Sequence, residues 1–260
     1  MFEFIKYDLK GMTSIITINR PEVFNAMNVK TKKEIIEAIK QANKDSAIRS
    51  IILTGAGKAF SSGQDLNDRT VQASAGPVDL GHTVKTEWNP LVEAIRNSDK
   101  PVIAAINGVC AGAGLGVALA CDFKVAKPQV KFVSGFAQIG LTPDAGTSHI
   151  LSRHLGYSKA LEFALLGQAL FSEDMLNYGL VNFIADDEMS KALELGEKLN
   201  NLAPKSVATI KKNFQYGLDN KFEAVSEKEM MSQRYLGWTK DYQEGVSAFL
   251  EKRKPQFKGE

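Results

Sequence analysis

Apolar positions in the first part of the chain follow strand spacing and then helix spacing. Residues 2–7 and 13–18 alternate or run through β-branched side chains on either side of Gly11, which predicts a β-hairpin. Isoleucines and alanines then recur three and four residues apart over 28–43, behind an asparagine that can cap a helix. A short apolar strand follows at 48–53. The predicted order is therefore β, β, α, β.

Strands and helices continue to alternate through the middle of the chain. This pattern is typical of an α/β core in which helices cover parallel strands. From about residue 145 the pattern is helical apart from a strand-like segment at 181–185. We predict a core at 1–200, which includes that segment, and a helical region at 201–260. Residues 67–82 lack periodicity and predict either a disordered loop or a lid over a site. The other predicted elements are a helix at 83–98, strands at 101–106, 123–126 and 131–133, and a glycine-rich segment leading into a helix at 108–120.

Composition and charge exclude several classes of protein. Hydrophobic residues make up 44% and charged residues 24% of the chain, with a net charge of +2, as in ordinary globular domains without a nucleic-acid-binding charge. The N-terminal apolar patch contains charges, so it does not resemble a signal peptide. The best apolar window, 109–120, is too short to span a bilayer. We therefore expect a soluble, cytoplasmic protein that binds neither nucleic acid nor membrane.

Cysteine and histidine give no sign of a metal site. Cys110 and Cys121 lie among small apolar residues, which favours two buried hydrophobic side chains over a disulfide or a reactive thiol. His82, His149 and His154 do not cluster with cysteine or glutamate at metal-ligand spacing. We predict no metal.

Two glycine-containing segments stand where a predicted strand ends. They are 59–66, after the strand at 48–53, and 107–114, after the strand at 101–106. Backbone N–H groups at such turns lack partners, and a helix N-terminus adds positive potential. Two such groups converging on one point would form an oxyanion hole. Spacing alone equally allows two tight turns with packing glycines.

Short motifs extend over most of the chain around these segments. They are N-R-P-E-x-x-N-A at 19–26, A-F-S-S-G-Q-D-L at 59–66, K-P-V-I-A-A-I-N-G at 100–108, A-G-A-G at 111–114, A-C-D at 120–122, G-L-T-P-D-A-G at 140–146 and E-G-V-S-A-F-L-E-K-R-K-P-Q-F at 244–257. Together they resemble the crotonase (enoyl-CoA hydratase/isomerase) superfamily. Segments at 63–69, 79–81, 89–92 and 143–144 look still closer to one branch, the isomerases that convert ring-1,2-epoxyphenylacetyl-CoA to oxepin-CoA in phenylacetate catabolism.

The resemblance implies a fold, a ligand and an assembly. The implied fold is a crotonase-like α/β spiral of β-β-α units with a helical C-terminal trimerisation region, and the implied assembly is a homotrimer or a dimer of trimers. The ligand is an acyl-CoA thioester. The two oxyanion-hole amides fall on Gln64 and Ala113. The implied CoA contacts are Ser62, Gln64, Asp65, Leu66 and Lys252.

The basic residues near the C-terminus have two interpretations. Lys252 and Arg253 reach CoA phosphates, in their own or a neighbouring subunit, or they are solvated surface charges.

Departures from the superfamily pattern bear on the reaction. Hydratases that resemble this chain carry two glutamates, which align with Gly116 and Phe136, so we do not expect hydration. Asp144 stands where several isomerase branches have their acid–base carboxylate, and one carboxylate can take a proton from one carbon and return it to another. Its alternative role is to cap a helix at 146–154.

We therefore expect an isomerase that acts through a thioester enolate. It would convert ring-1,2-epoxyphenylacetyl-CoA to oxepin-CoA, shift double bonds of enoyl-CoA substrates, or do both. No cofactor is expected, since coenzyme A is part of the substrate. The alternatives are a generic enoyl-CoA isomerase or hydratase of fatty acid β-oxidation and a CoA-binding protein without catalysis.

Overall fold

The fold begins with the predicted hairpin and capped helix. The computed structural model describes residues 2–68 and 79–260. Strands β1 (Ile5–Lys10) and β2 (Thr13–Ile18) are antiparallel. Helix α1 (Val29–Lys44) starts where expected, because the side chain of Asn28 accepts a hydrogen bond from the N–H of Thr31 at 2.8 Å.

The remaining elements alternate as the periodicity predicts and end in a run of helices. A π-helical turn, Val84–Trp88, joins the second and third helices. The strands are β3 (Ser50–Gly55), β4 (Ala59–Ser61), β5 (Val102–Ile106), β6 (Val109–Ala111), β7 (Phe123–Ala126), β8 (Lys131–Val133), β9 (Leu170–Phe171) and β10 (Phe183–Ile184). The helices are α2 (Leu80–Thr83), α3 (Asn89–Arg96), α4 (Ala113–Ala120), α5 (Thr147–Leu166), α6 (Ser172–Asn177), α7 (Glu188–Asn200), α8 (Pro204–Gly217), α9 (Phe222–Gly237) and α10 (Lys240–Leu250).

Within the described residues, the strands form two sheets. The larger has the order β1-β2-β3-β5-β7-β10 and is parallel after the hairpin, and the smaller has the order β4-β6-β8-β9. Three times in succession, a strand of the larger sheet is followed by a strand of the smaller sheet and then by helical structure. This repetition is the α/β spiral of β-β-α units that the resemblance implies.

Alternation along the central strands divides the core between two faces of the larger sheet. Ile51 and Leu53 of β3 join the main core cluster, whereas Ile52 belongs to a smaller cluster that α7 covers through Ala192. Both faces of the sheet are buried, which explains why the sequences of these parallel strands are continuously apolar.

Several predicted boundaries are wrong. β1 begins at Ile5 and not at residue 2, and the strand predicted at 181–185 is only Phe183–Ile184. The loop predicted at 67–82 has a 3₁₀ turn at its start and α2 at its end, and its residues 69–78 lie outside the described part. No helix in 2–68 or 79–260 is long and apolar enough to cross a membrane. The division into 1–200 and 201–260 stays a prediction.

Candidate active site

The loop after the hairpin fixes the start of the smaller sheet. Asn25 is fully buried, and its side-chain nitrogen donates to the carbonyl oxygens of Ala56 and Ala59, at 2.8 and 2.7 Å. Its side-chain oxygen accepts a hydrogen bond from the N–H of Arg20 at 3.0 Å. The motif at 19–26 therefore ties the β3–β4 connection to the loop that precedes α1.

The segment after β4 forms a single parallel bridge with Met27. The N–H of Met27 donates to the carbonyl oxygen of Gly63 at 2.7 Å, and its carbonyl oxygen accepts from the N–H of Asp65 at 3.2 Å. In a parallel ladder, the residue between two such partners directs its own N–H to the opposite side. The backbone N–H of Gln64 therefore points away from Met27, an orientation compatible with the predicted oxyanion donor.

This segment lies directly against the start of α4. A Cβ atom built on Gly63 would lie 3.0 Å from the carbonyl oxygen of Ala111 and 3.1 Å from the backbone nitrogen of Ala113. Ala113 is the first residue of α4, so its N–H has no acceptor within the helix. The structure thus brings together the two segments whose amides, of Gln64 and Ala113, were predicted to form an oxyanion hole.

The segment that carries Asp144 packs against the same helix one turn further on. A Cβ atom built on Gly116 would lie 2.7 Å from both the Cβ of Ala145 and the Oγ1 of Thr147. Residue 116 follows residue 113 by three positions, so the two share a face of α4. Asp144 is partly buried beside this contact.

Asp144 is not the N-cap residue of helix α5. Helix α5 begins at Thr147 and not at 146, and its N-cap is Gly146, where no side chain makes a capping hydrogen bond. The backbone carbonyl of Asp144 accepts from the N–H of Thr147 at 2.9 Å, so the residue contributes to this helix start through its main chain.

The two positions that align with glutamates in hydratases offer no carboxylate here. Gly116 is crowded by the Cβ and carbonyl oxygen of Ala145 and by the Oγ1 of Thr147, and Phe136 is buried in the main core cluster. Leu141, five residues after Phe136, is exposed. The acid–base carboxylate that the resemblance implies, on Asp144, is carried by the segment that packs against α4.

The predicted CoA-binding residues differ in exposure. Ser62 and Leu66 are exposed, whereas Asp65 is buried and forms an ion pair with Arg20 at 2.8 Å. The carboxylate of Asp65 is therefore engaged within the chain, and its part in CoA binding stays a prediction.

The basic residues after α10 also differ from each other. Arg253 forms ion pairs with Glu244 at 2.6 Å and Glu251 at 2.5 Å, and these bonds raise its pKa further above its ordinary value. Lys252 is exposed in the turn after α10. Contact of Lys252 with CoA stays a prediction.

Sequence reasoning missed a buried polar cluster beside Gln64. Lys32 is only 1% exposed, and its ammonium contacts the carboxylate of Glu87 and lies 4.5 Å from the ring centroid of Trp88. The signal was present in the sequence, because Lys32 interrupts the apolar stripe of α1 that continues at Ile35.

The cysteines behave as buried hydrophobic residues, as predicted. Burial raises the pKa of Cys121 to about 12 and raises the pKa of Cys110 even further, so neither thiol ionises near neutral pH. Among the residues that the structure describes, histidine, cysteine and carboxylate side chains do not gather in groups of three that could hold a metal ion.

Known proteins share both this sequence and this architecture. The profile of the enoyl-CoA hydratase/isomerase family matches residues 10–260. The chain belongs to the enoyl-CoA hydratase/isomerase family. Among the relatives, 1,2-epoxyphenylacetyl-CoA isomerase of Escherichia coli K12 is 40% identical over 100% of both chains. Trans-2-decenoyl-[acyl-carrier-protein] isomerase of Streptococcus mutans is 31% identical over 99% of each.

Solved structures of the enoyl-CoA hydratase/isomerase family have the same fold. An enoyl-CoA hydratase from Polaromonas sp. JS666 superposes with a TM-score of 0.93 and 33% identity, covering 97% of this chain and 99% of its own. Members named hydratases and members named isomerases are therefore similar to this chain to comparable degrees, so similarity alone does not distinguish the two reactions.

Proposed function

We propose that this protein is an acyl-CoA isomerase in which Asp144 is the single acid–base group. The observation that carries the proposal is the packing around Gly116. The carboxylate of Asp144 is carried by the segment that packs against α4 beside Gly116. The carboxylates near Gln64, on Asp65 and Glu87, are ion-paired with Arg20 and Lys32. Gly116 has no room for a side chain, and Phe136 is buried. Hydration needs one group for the water and one for the α-proton, whereas isomerisation needs one group that accepts and returns a proton.

The proposed reaction moves one proton and creates no net change in composition. The N–H groups of Gln64 and Ala113 donate hydrogen bonds to the thioester carbonyl oxygen. Asp144 takes the proton from the carbon next to that carbonyl, and the electron pair passes into the enolate that the two donors stabilise. The electron pair then re-forms a carbon–carbon double bond in a new place, and Asp144 returns the proton to a carbon further along the conjugated system. With the ring epoxide as substrate, the carbon–carbon bond between the two epoxide carbons also breaks, and its electron pair joins the ring double bonds. The six-membered ring thereby widens to the seven-membered oxepin with no atom gained or lost.

We propose ring-1,2-epoxyphenylacetyl-CoA as the first substrate to test, with oxepin-CoA as its product. The full-length relative at 40% identity is named for this epoxide substrate, which supports the choice. A second candidate is a double-bond shift in an enoyl thioester, favoured by the relative named as a decenoyl isomerase. Exposed Ser62 and Leu66 offer a surface for the CoA moiety, with Gln64, Asp65 and Lys252 as further proposed contacts.

The substrate assay that tests this proposal compares three thioesters with and without a metal chelator. We expect turnover of the ring epoxide or of a 3-enoyl-CoA, unchanged by chelator, because a proton shift needs no metal or redox cofactor. Crotonyl-CoA should gain water very slowly, since each missing acid–base group costs about 10²–10⁴-fold. Chromatography with mass detection reports all three products.

Two outcomes of this assay would contradict the proposal. Rapid hydration of crotonyl-CoA would mean that another group activates water. Tight binding of all three thioesters without turnover of any would support the CoA-binding protein without catalysis.

We also propose that the protein is a homotrimer or a dimer of trimers. The C-terminal helices and the residues that join them expose large apolar side chains. Phe222 is 80% exposed, Trp238 77% and Phe249 82%. Such a surface is more typical of an interface than of a monomer. Light scattering after size-exclusion chromatography should give three or six times the chain mass, and Trp238→Lys with Phe249→Lys should lower it. A monomeric mass for the unmodified chain would rule out this assembly.

A further inference from the structure

The side chain of Gln64 is held by a network that connects three elements. The ammonium of Lys32, on α1, donates to Oε1 of Gln64 at 3.0 Å, and the indole N–H of Trp88 donates to the same oxygen at 3.2 Å. Glu87, which precedes Trp88 in the π-helical turn, forms an ion pair with Lys32. Lys32 is 1% exposed and Trp88 is fully buried, so the two donors are shielded from water, whereas the side chain of Glu87 is 18% exposed.

The chemistry of the donors fixes the orientation of the Gln64 amide. Lysine and tryptophan side chains donate and do not accept, so the atom that they share is the carbonyl oxygen of the side chain. The remaining nitrogen, Nε2, donates to the carbonyl oxygen of Asp65 at 3.0 Å. Both ends of the Gln64 side chain are thus anchored.

The backbone on either side of Gln64 is anchored as well. Met27 bonds to Gly63 and to Asp65, and the carboxylate of Asp65 pairs with Arg20. With its neighbours and its side chain fixed, the peptide N–H of Gln64 has little freedom to rotate. Preorganised donors stabilise a developing negative charge because they need no reorganisation during the reaction.

We propose that Lys32, Glu87 and Trp88 are positioning residues that hold the backbone amide of Gln64 in its oxyanion geometry. Lys32 and Trp88 act through the side-chain oxygen of Gln64, and Glu87 keeps the buried ammonium of Lys32 in place. The inference rests on the proposed function, since it assigns these residues to the amide that would stabilise the enolate. It extends that function to one residue on α1 and two residues of the π-helical turn.

A purely structural role for the same contacts would have a different signature. A buried ion pair that only joins α1 to the helical segment at 80–96 would change stability when removed and leave bound substrate unaffected. If these residues position the amide, their removal should weaken the polarisation of the bound carbonyl group and lower kcat more than it raises KM.

The test uses variants that remove the donors while keeping the packing. Lys32→Met combined with Glu87→Gln removes both charges together, so no buried charge is left alone. Trp88→Phe removes the indole N–H and part of the ring system, and it keeps an aromatic side chain at this position. Lys211→Met combined with Asp122→Asn is the matched control, because Lys211 and Asp122 form a partly buried ion pair at 2.6 Å and both charges are again removed together. Asp122 lies beyond the C-terminal end of α4, at the opposite end from Ala113.

The main readout is the absorption of a bound arylacryloyl-CoA, whose maximum moves to longer wavelength when its carbonyl oxygen accepts hydrogen bonds. We expect Lys32→Met/Glu87→Gln to lose about half or more of the wild-type shift and to lower kcat about 10- to 100-fold, with KM within about threefold. Trp88→Phe should change both quantities in the same direction by less. Lys211→Met/Asp122→Asn should change neither, and thermal unfolding reports stability for all variants.

A double-mutant cycle tests whether Lys32 acts through Gln64. If it does, Gln64→Leu with Lys32→Met should give a kcat close to that of Gln64→Leu alone. Full wild-type absorption shifts in the Lys32→Met/Glu87→Gln and Trp88→Phe variants would overturn the positioning role and leave the proposed reaction intact. A shift in the wild-type protein without isomerisation of any thioester would instead contradict the proposed function.

Discussion

Asp144→Asn should lower isomerase turnover by about 10²–10⁴-fold while leaving acyl-CoA affinity nearly unchanged. The substitution keeps the size and polarity of the side chain and removes the oxygen that accepts the substrate proton. Steady-state kinetics on the thioester that the substrate assay identifies will measure the loss. Exchange of the α-proton in deuterated water, followed by NMR, should fall in parallel, because the same carboxylate removes that proton.

A capping aspartate elsewhere in the chain provides the control. Asp187 caps α7 by accepting from the N–H of Ser190 at 2.9 Å, and Asp187→Asn keeps this capability. We expect full turnover in that variant. If Asp144→Asn also kept full turnover, the base would have to lie elsewhere and the single-carboxylate mechanism would be wrong.

Gly63→Ala should reduce turnover about 10²–10³-fold, the loss that follows removal of one oxyanion donor. The added Cβ would lie 3.0 Å from the carbonyl oxygen of Ala111 and 3.1 Å from the nitrogen of Ala113, both of them backbone atoms. The segments that carry the two amides must therefore move apart. Gly63 also has φ +96°, where alanine is strained. Kinetics and the absorption of a bound chromophoric thioester will measure the effect.

Gly11→Ala is a control that separates the effect of backbone strain from the effect of a steric contact. Gly11 has φ +59° and nothing within 4 Å of an added Cβ, so alanine there is strained without displacing a neighbour. Both variants should be less stable, but only Gly63→Ala should lose turnover and carbonyl polarisation. Equal turnover in the two variants would mean that the approach of Gly63 to Ala113 does not set the donor geometry.

The elements that sequence periodicity predicts are those long enough to show a period. Helix α1 and the buried strands β3 and β5 extend over several side chains, and their apolar spacing identifies them. Strands β4, β6 and β9 have only two or three residues, too few for alternation, and they were missed. Strand β8, equally short, is the exception, since the sequence predicted it at 131–133. The smaller sheet is therefore recognised only when its strands are seen to pair.

The candidate site shows a similar division. The resemblance placed Gln64, Ala113 and Asp144 in the site, and the structure shows that the segments carrying them converge on α4. The network of Lys32 was missed because its partners, Glu87 and Trp88, come from a distant part of the chain. A lysine in an apolar stripe signals that a partner exists, but only the fold identifies it.

The crowding around Gly116 bears on how members of this family could have exchanged reactions. A single nucleotide change can turn a glycine codon into a glutamate codon, so the genetic distance to a hydratase-like carboxylate at 116 is short. The structural change required is much larger, because Ala145 and Thr147 occupy the space that the new side chain would need. The segment that carries the proposed base would have to be rebuilt before a glutamate at 116 could be accommodated. Mutational paths between one-carboxylate and two-carboxylate members should therefore begin in the loop before α5, with the change at position 116 coming last.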